Sequence, residues 1–432
     1  MKDNCLKNAG ELISFIEKSP SRFHAVEQAE LILKAAGFQA LDIKEKWELK
    51  NGGRYYTTKN DSSMAAFIVG EKSPANAGFR IIGSHTDSPA IRIKPNPKMT
   101  VGENYLKLNT EIYGGPILYS WFDRPLGIAG RVTFRGNKND RILSKPVIIE
   151  GVKTVIPSIA IHMNREVNTG FKVDKQKDML PFLCSVEEQV KAFDLNRLVA
   201  ENLKVEQDRI LDFELYLYDM AQGQIIGVDN DLLSCSQLDD LAMVFASLKA
   251  IVDAPNADST RMAMFFDNEE IGSRTMQGAD SPLLGSILER ISICLGQDRE
   301  AYLRALENSF VISSDMAHAL HPNAQEKHDP TNQPVMNGGP VIKISTNFRY
   351  TSDSESSAYF ESLCKKAEVP VQRFVNHSNE RGGSTIAPIT AGRLGIRSVD
   401  IGNPMLSMHS IKELCGVMDQ YYLTEVFKVF YQ

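Results

Sequence analysis

The stretch Phe79-Arg80-Ile81-Ile82-Gly83-Ser84-His85-Thr86-Asp87 decides how the chain reads. An apolar run with strand character, 79–82, stops at Gly83 and releases a serine, a histidine, a threonine and an aspartate. Polar side chains freed at the end of an apolar strand are where α/β proteins build their sites. In an extended segment residues two apart point the same way, so Asp87 is placed to hold the ring of His85. A carboxylate behind a metal-bound histidine fixes its tautomer and raises its basicity. A plain turn aspartate after a strand would give the same letters.

Other apolar runs end in the same manner. Residues 262–266 lead into Asp267-Asn268-Glu269-Glu270, and 310–313 into Ser314-Asp315. Gln237-Leu238-Asp239-Asp240 opens a helical pattern over 238–250, with Leu241, Phe245 and Leu248 on one face. Further strands are expected at 65–69, 341–344 and 398–401. Two helices are expected at the start, the first carrying Leu6, Ala9, Leu12, Ile13 and Ile16. The second follows Ser19-Pro20-Ser21 and carries Ala25, Ala29, Leu31, Ile32 and Ala35 up to Gly37. The α/β pattern predicts a central mixed sheet flanked by helices.

Between about Lys94 and Gly227 the texture changes. Pro95, Pro97, Gly102 and the pair Gly114-Gly115 interrupt it, and short β-rich runs appear at 130–134, 146–149 and 213–218. Helical periodicity is weak there, so the segment reads as a mainly β domain inserted into the first. The predicted division is 1–94 with 228–432, and 95–227 between them. A chain of 432 residues exceeds the roughly 250–300 at which one core stops growing, which agrees with two domains.

Composition excludes several classes of function. Charged residues are 24% of the chain and the formal net charge is −6, with no basic block, which argues against nucleic acid or an anionic membrane as partner. Asp3, Glu11 and Glu17 break the apolar run that an export signal needs, and no stretch approaches the roughly 20 apolar residues of a membrane span. The six cysteines are scattered without a CxxC pair, which fits neither a disulfide framework nor a thiolate zinc site. A reducing, cytoplasmic location is the expectation.

The chemistry therefore rests on histidine and carboxylate. His85 and His409, with Asp239, Glu269, Glu270 and Asp315 and no thiolate, make a nitrogen and oxygen set that suits zinc, manganese or cobalt. Neighbouring residues of a strand face opposite ways, so Glu269 and Glu270 can hold different tasks, one on a metal and one free to take a proton from water. Exposed acids at a loop start would look alike. Asp239 and Asp240 sit where carboxylates favour a helix N-terminus, and capping alone would account for them.

Taken together, the segments resemble the M18 peptidases, whose best-known members are aspartyl aminopeptidases. The resemblance is carried by Ser19-Pro20-Ser21-Arg22-Phe23-His24-Ala25-Val26, Gly83-Ser84-His85-Thr86-Asp87-Ser88-Pro89 and Phe266-Asp267-Asn268-Glu269-Glu270-Ile271-Gly272-Ser273. Ser313-Ser314-Asp315-Met316-Ala317-His318-Ala319 and Met408-His409-Ser410-Ile411-Lys412-Glu413 extend it, so that it runs from residue 19 to near the C-terminus. It implies a zinc-dependent aminopeptidase that removes N-terminal residues from peptides with two divalent ions per subunit. His85, Asp239 and Asp315 would hold one ion and Asp239, Glu270 and His409 the other, with Asp239 bridging and Glu269 as general base.

The resemblance also implies that the inserted domain serves dimerisation and that dimers assemble into a dodecamer. Ile159-Ala160-Ile161-His162-Met163-Asn164-Arg165 is similar to the segment that lends a histidine to a neighbouring subunit, which would make His162 a substrate contact supplied in trans. A structural histidine within a subunit interface is the other reading. Gly339-Pro340-Val341-Ile342-Lys343 extends the likeness to the aspartyl members, so Lys343 would bind the carboxylate of an N-terminal Asp or Glu. A surface lysine at a strand end is the alternative. At the level of the whole protein, the rivals are a broad-specificity aminopeptidase, another co-catalytic metallohydrolase of the same architecture, and an inactive scaffold, which would be expected to have lost a ligand or the base, whereas His85, Asp239, Glu269, Glu270, Asp315 and His409 are all present.

Overall fold

A computed structural model describes residues 1–136, 141–380 and 382–432. A nine-stranded mixed sheet organises it, in the spatial order Gln39–Ala40, Arg54–Lys59, Ser63–Ile68, Thr260–Phe266, Phe79–His85, Phe310–Ser314, Arg397–Gly402, Val341–Ile344 and Gln372–Val375. The strands from Thr260–Phe266 to Arg397–Gly402 run parallel. Ser63–Ile68 and Val341–Ile344 flank them antiparallel. The expected α/β architecture is therefore present.

Alternation along the strands separates the two faces. Ala66, Ile68, Ile82, Ala263 and Phe265 enter one apolar cluster, together with Leu12, Phe15, Leu241, Phe245, Leu248, Val426 and Phe427. Those partners come from the helices Lys2–Glu17, Leu238–Asp253 and Val417–Phe430. The intervening Phe67, Phe79, Ile81, Met262 and Met264 enter the other cluster, against Leu284, Leu288, Ile291 and Tyr302 of Leu283–Cys294 and Arg299–Glu307. With both faces covered, Thr260–Phe266 is buried throughout, as parallel strands usually are.

Register then fixes where the strand ends come out. Phe266 pairs with His85, and Ser313 with Gly83. The polar segments after residues 266 and 314, and His85 itself, therefore leave the sheet along one edge. The strand Phe79–His85 runs through Gly83 to the histidine, further than the apolar run alone indicated.

Residues 90–219 contribute a second, six-stranded antiparallel sheet in the order Ile142–Ile148, Leu126–Arg135, Ile210–Asp219, Ala90–Val101, Tyr105–Tyr113 and Phe182–Cys184. Its core holds Ile91, Leu108, Trp121, Ile128, Val132, Leu215 and Leu217. Pairing of this sheet starts at Ala90, ahead of the proline and glycine breaks from which the sequence drew its boundary. A third, five-stranded sheet joins Gln224–Ile226, Leu232–Cys235, Glu413–Gly416, Pro404–Leu406 and Ala317–His318. Strands of two to four residues carry too little periodicity to read from sequence. Among the described residues no helix is long and apolar enough to cross a membrane.

Candidate active site

The edge where the parallel strands end collects nearly every polar segment marked in the sequence. His85 is 1% exposed, Asp239 3% and Asp315 9%. His85 Nε2 lies 3.5 Å from Asp239 Oδ1 and 4.0 Å from Asp315 Oδ1. His409 Nε2 lies 3.5 Å from Asp239 Oδ2 and 3.3 Å from Glu270 Oε1. One carboxylate thus presents one oxygen to each histidine. Ligand-type atoms of His85, Asp239, Asp240 and Asp315 lie within 4.8 Å of one another, and so do those of Asp239, Glu270 and His409.

The tautomers follow from the partners of the other ring nitrogen. His85 Nδ1 is 2.9 Å from the Asp87 carbonyl oxygen, and His409 Nδ1 is 3.1 Å from that of Gly115. A carbonyl only accepts, so both Nδ1 atoms carry hydrogen and both Nε2 atoms face the carboxylates. An unprotonated Nε2 and a carboxylate oxygen are two acceptors, and at this spacing they need a cation between them, either a proton on the ring or a metal ion. Asp239 Oδ1, Asp240 Oδ1 and Glu270 Oε1 are also buried without a hydrogen-bond partner. Orphaned acceptors of this kind are costly unless something cationic satisfies them, and the donor set is one that zinc accepts. The residues fit a metal.

Electrostatics express the same crowding. Burial alone would lower His409, but Asp239 and Glu270 raise it to about 11. His85 is likewise raised well above the usual histidine value, Asp240 and Asp239 overcoming burial. Burial pushes Glu270 up to about 7, and it carries Glu269 well above the usual carboxyl range with help from Asp315 and Glu270. Asp315 is raised by burial, against the pull of Lys343.

Asp87 is 2% exposed and works harder than its position after a strand suggested. Its Oδ1 accepts from the Glu269 amide at 3.1 Å, and its Oδ2 from the Glu270 amide at 3.2 Å and the Tyr113 hydroxyl at 2.7 Å. To His85 Nδ1 its carboxylate stands at 3.5 Å, farther than its own carbonyl. The two glutamates lie in a single 3-10 turn, Glu269–Ile271. Their side chains are therefore separated by the three-residue turn of that helix and not by strand alternation, because the strand has already ended at Phe266.

Lys343 is 3% exposed, inside Val341–Ile344 and not at a surface end. Its Nζ donates to the Met316 carbonyl at 3.0 Å and faces Asp315 Oδ2 at 3.6 Å. An ammonium has three N–H donors, and the hydrogen bond to Met316 uses one of them. His162 lies in an exposed turn of the second-sheet segment. Among the described residues no hydrogen bond or ion pair joins it to the cluster.

Sequence reasoning gave Asp240, Glu413 and Arg22 no part in this site, and the fold brings them in. Asp240 Oδ2 accepts from the His85 amide at 3.1 Å. Glu413, 2% exposed, accepts from the Asp239 amide at 3.0 Å and from the His409 amide at 2.7 Å. Arg22 pairs with Asp267 at 3.1 Å, and its guanidinium lies 4.6 Å from the centre of the Tyr113 ring. Glu413 and Arg22 lay within quoted segments, but nothing in their spacing shows what a folded chain lets them reach.

The family profile described as "Aminopeptidase I zinc metalloprotease (M18)" matches residues 15–431. The chain is 52% identical to a probable M18 family aminopeptidase 2 of Clostridium novyi, over 99% of each chain. Its fold superposes on a chain of the Ape4 and Nbr1 complex with a TM-score of 0.94 at 34% identity, covering 99% of this chain and 86% of that one. With the S. cerevisiae mApe1 dodecamer the TM-score is 0.86 at 30% identity, covering 98% and 96%.

Proposed function

The chain belongs to the M18 family of zinc metalloproteases and is a metallo-aminopeptidase; from that premise we propose that it works through two bridged divalent ions, zinc foremost, with manganese and cobalt as substitutes. His85, Asp239 and Asp315 would hold one ion and Asp239, Glu270 and His409 the other. The observation that carries this reading is the Asp239 carboxylate, which turns one oxygen toward each histidine. Bound there, such ions supply Lewis acidity to the scissile carbonyl and acidify water.

The chain's own residues do the rest. Glu269 takes the proton of the attacking water and returns it to the leaving amine. Asp87 fixes the turn that carries Glu269 and Glu270. Lys343 would offer a free donor to the carboxylate of an N-terminal Asp or Glu, giving a preference for acidic N-termini. Residues 95–227 would form the dimerisation unit of a homo-oligomer, assembled as the S. cerevisiae relative is into a dodecamer. In that assembly His162 would reach a neighbour's substrate, since Ile159, Ile161 and Met163 beside it are 48%, 49% and 78% exposed and suit an interface. All six cysteines are unpaired, which agrees with a cytoplasmic location.

Metal content of the purified protein, together with rates on Asp, Glu, Leu and Ala p-nitroanilides, tests this directly. Chelation should abolish peptide hydrolysis, and Zn²⁺, Mn²⁺ or Co²⁺ should restore it. Full activity in a protein with no metal by elemental analysis would sink the two-ion reading. Leucine and alanine turned over as fast as aspartate would leave a broad-specificity aminopeptidase, and release only from N-acylated peptides would point to a different metallohydrolase.

A further inference from the structure

The Gly114-Gly115 pair, marked in the sequence only as a break in texture, ends the strand Tyr105–Tyr113 of the second sheet and lies against the candidate site. Gly114 has φ +70°, and a Cβ there would come 3.2 Å from Glu270 Cβ. A Cβ on Gly115 would come 3.6 Å from His409 Nδ1. Glycine is the residue that lets a backbone both take this turn and approach so closely. The approach is used, because the Gly115 carbonyl accepts from His409 Nδ1 at 3.1 Å and the Ile117 amide donates to the His409 carbonyl at 2.8 Å.

One residue earlier, Tyr113 reaches the side chain of Asp87, whose backbone carbonyl accepts from the other histidine. Its hydroxyl donates to Asp87 Oδ2 at 2.7 Å and accepts from Asn268 Nδ2 at 2.8 Å. Burial, and then the Asp87 carboxylate, raise its pKa, so it stays a donor. The ring is clamped by the Arg22 guanidinium at 4.6 Å and, edge-on, by Tyr216 at 6.0 Å. Tyr216 belongs to the second sheet and Arg22 to the helix Arg22–Ala35, so the hydroxyl is held from both units.

We infer that Tyr113-Gly114-Gly115 is a positioning element of the catalytic centre: the Gly115 carbonyl sets the tautomer of His409, and the Tyr113 hydroxyl anchors the Asp87 carboxylate that accepts from the Glu269 and Glu270 amides. This rests on the two-ion reading above. It gives the second sheet a task inside its own subunit's active site, separate from any task in assembly. Partners of this kind are worth roughly 10–100-fold in metal affinity or activity.

The test is zinc affinity of the metal-free full chain, by competition with a chromophoric chelator, together with the visible spectrum of the Co²⁺-loaded protein. Tyr113→Phe keeps the ring and removes only the hydroxyl. It should bind zinc about 10–100-fold more weakly and shift the cobalt bands, while the metal-free protein still folds and melts cooperatively. Gly114→Ala should weaken the ion held by Glu270 and His409 by a similar factor, and Tyr113→Phe decides the matter if that variant does not fold. Wild-type zinc affinity and an unchanged cobalt spectrum in Tyr113→Phe overturn the inference alone. A wild type that takes up no zinc overturns the two-ion reading and this inference with it.

Discussion

Two regions of the molecule carry marked histidines, and they are built on opposite principles. His85 is 1% exposed, its Nδ1 turned to a carbonyl and its Nε2 to carboxylates from segments far apart in sequence. His162 sits in an exposed turn among exposed apolar neighbours, with no polar partner recorded among the described residues. A buried imidazole among carboxylates is costly unless the surrounding fold and a cation satisfy it, so the first region is built to hold an ion. The second makes sense as a surface awaiting something outside the subunit. One region holds the candidate centre, and the other is the face that, on the reading proposed above, would reach a neighbour's centre.

That contrast predicts a hierarchy of effects. The largest belongs to the buried region: Glu269→Gln should lower kcat by about 10²–10⁴-fold while metal content stays that of wild type. Glu270→Gln should instead lose metal. Steady-state rates paired with elemental analysis separate the two, and the reverse pattern would mean that base and ligand are exchanged.

At the exposed region, His162→Ala should cost about 10²-fold in kcat, the scale of one transition-state contact, with metal content and melting unchanged. If the contact is made in trans, mixed assemblies of His162→Ala and Glu269→Gln subunits should recover part of the activity. Absence of recovery in assemblies shown to be mixed would return His162 to its own subunit or remove it from the reaction.

Smaller effects probe how firmly the buried region is held. Glu413 ties the amides of Asp239 and His409 with one oxygen each. Glu413→Gln keeps the volume but leaves one N–H facing an NH₂ group, and zinc affinity measured by competition should fall about 10–100-fold. Wild-type affinity in that variant would make Glu413 a structural acid only.

Lys343→Met is the smallest and the most selective. If the lysine reads an acidic N-terminus, the ratio of kcat/KM for Asp over Leu substrates should drop about tenfold or more, the worth of one charge-assisted hydrogen bond. Because Lys343 also faces Asp315, an equal fall for both substrates would place it with the metal ligands and not with the specificity pocket.

Much of the architecture was legible in the chain. The central strands appear as apolar runs because burial on both faces demands them, and their polar endings at His85, Asp267 and Ser314 mark the sheet edge that carries the site. The histidine and carboxylate inventory limited the metal chemistry before any geometry was known. Only the tertiary structure decided who meets whom. Asp239 faces both histidines, Glu413 holds two amides, Tyr113 and Gly115 reach in from another sheet, and Lys343 lies against Asp315 and not at a surface. The physical reason is range: strand and helix periodicity record which face a residue takes among near neighbours in the chain. Convergence on one point depends on sheet register, turn geometry and the packing of one sheet's segments against another's, and these act between residues that the sequence sets far apart.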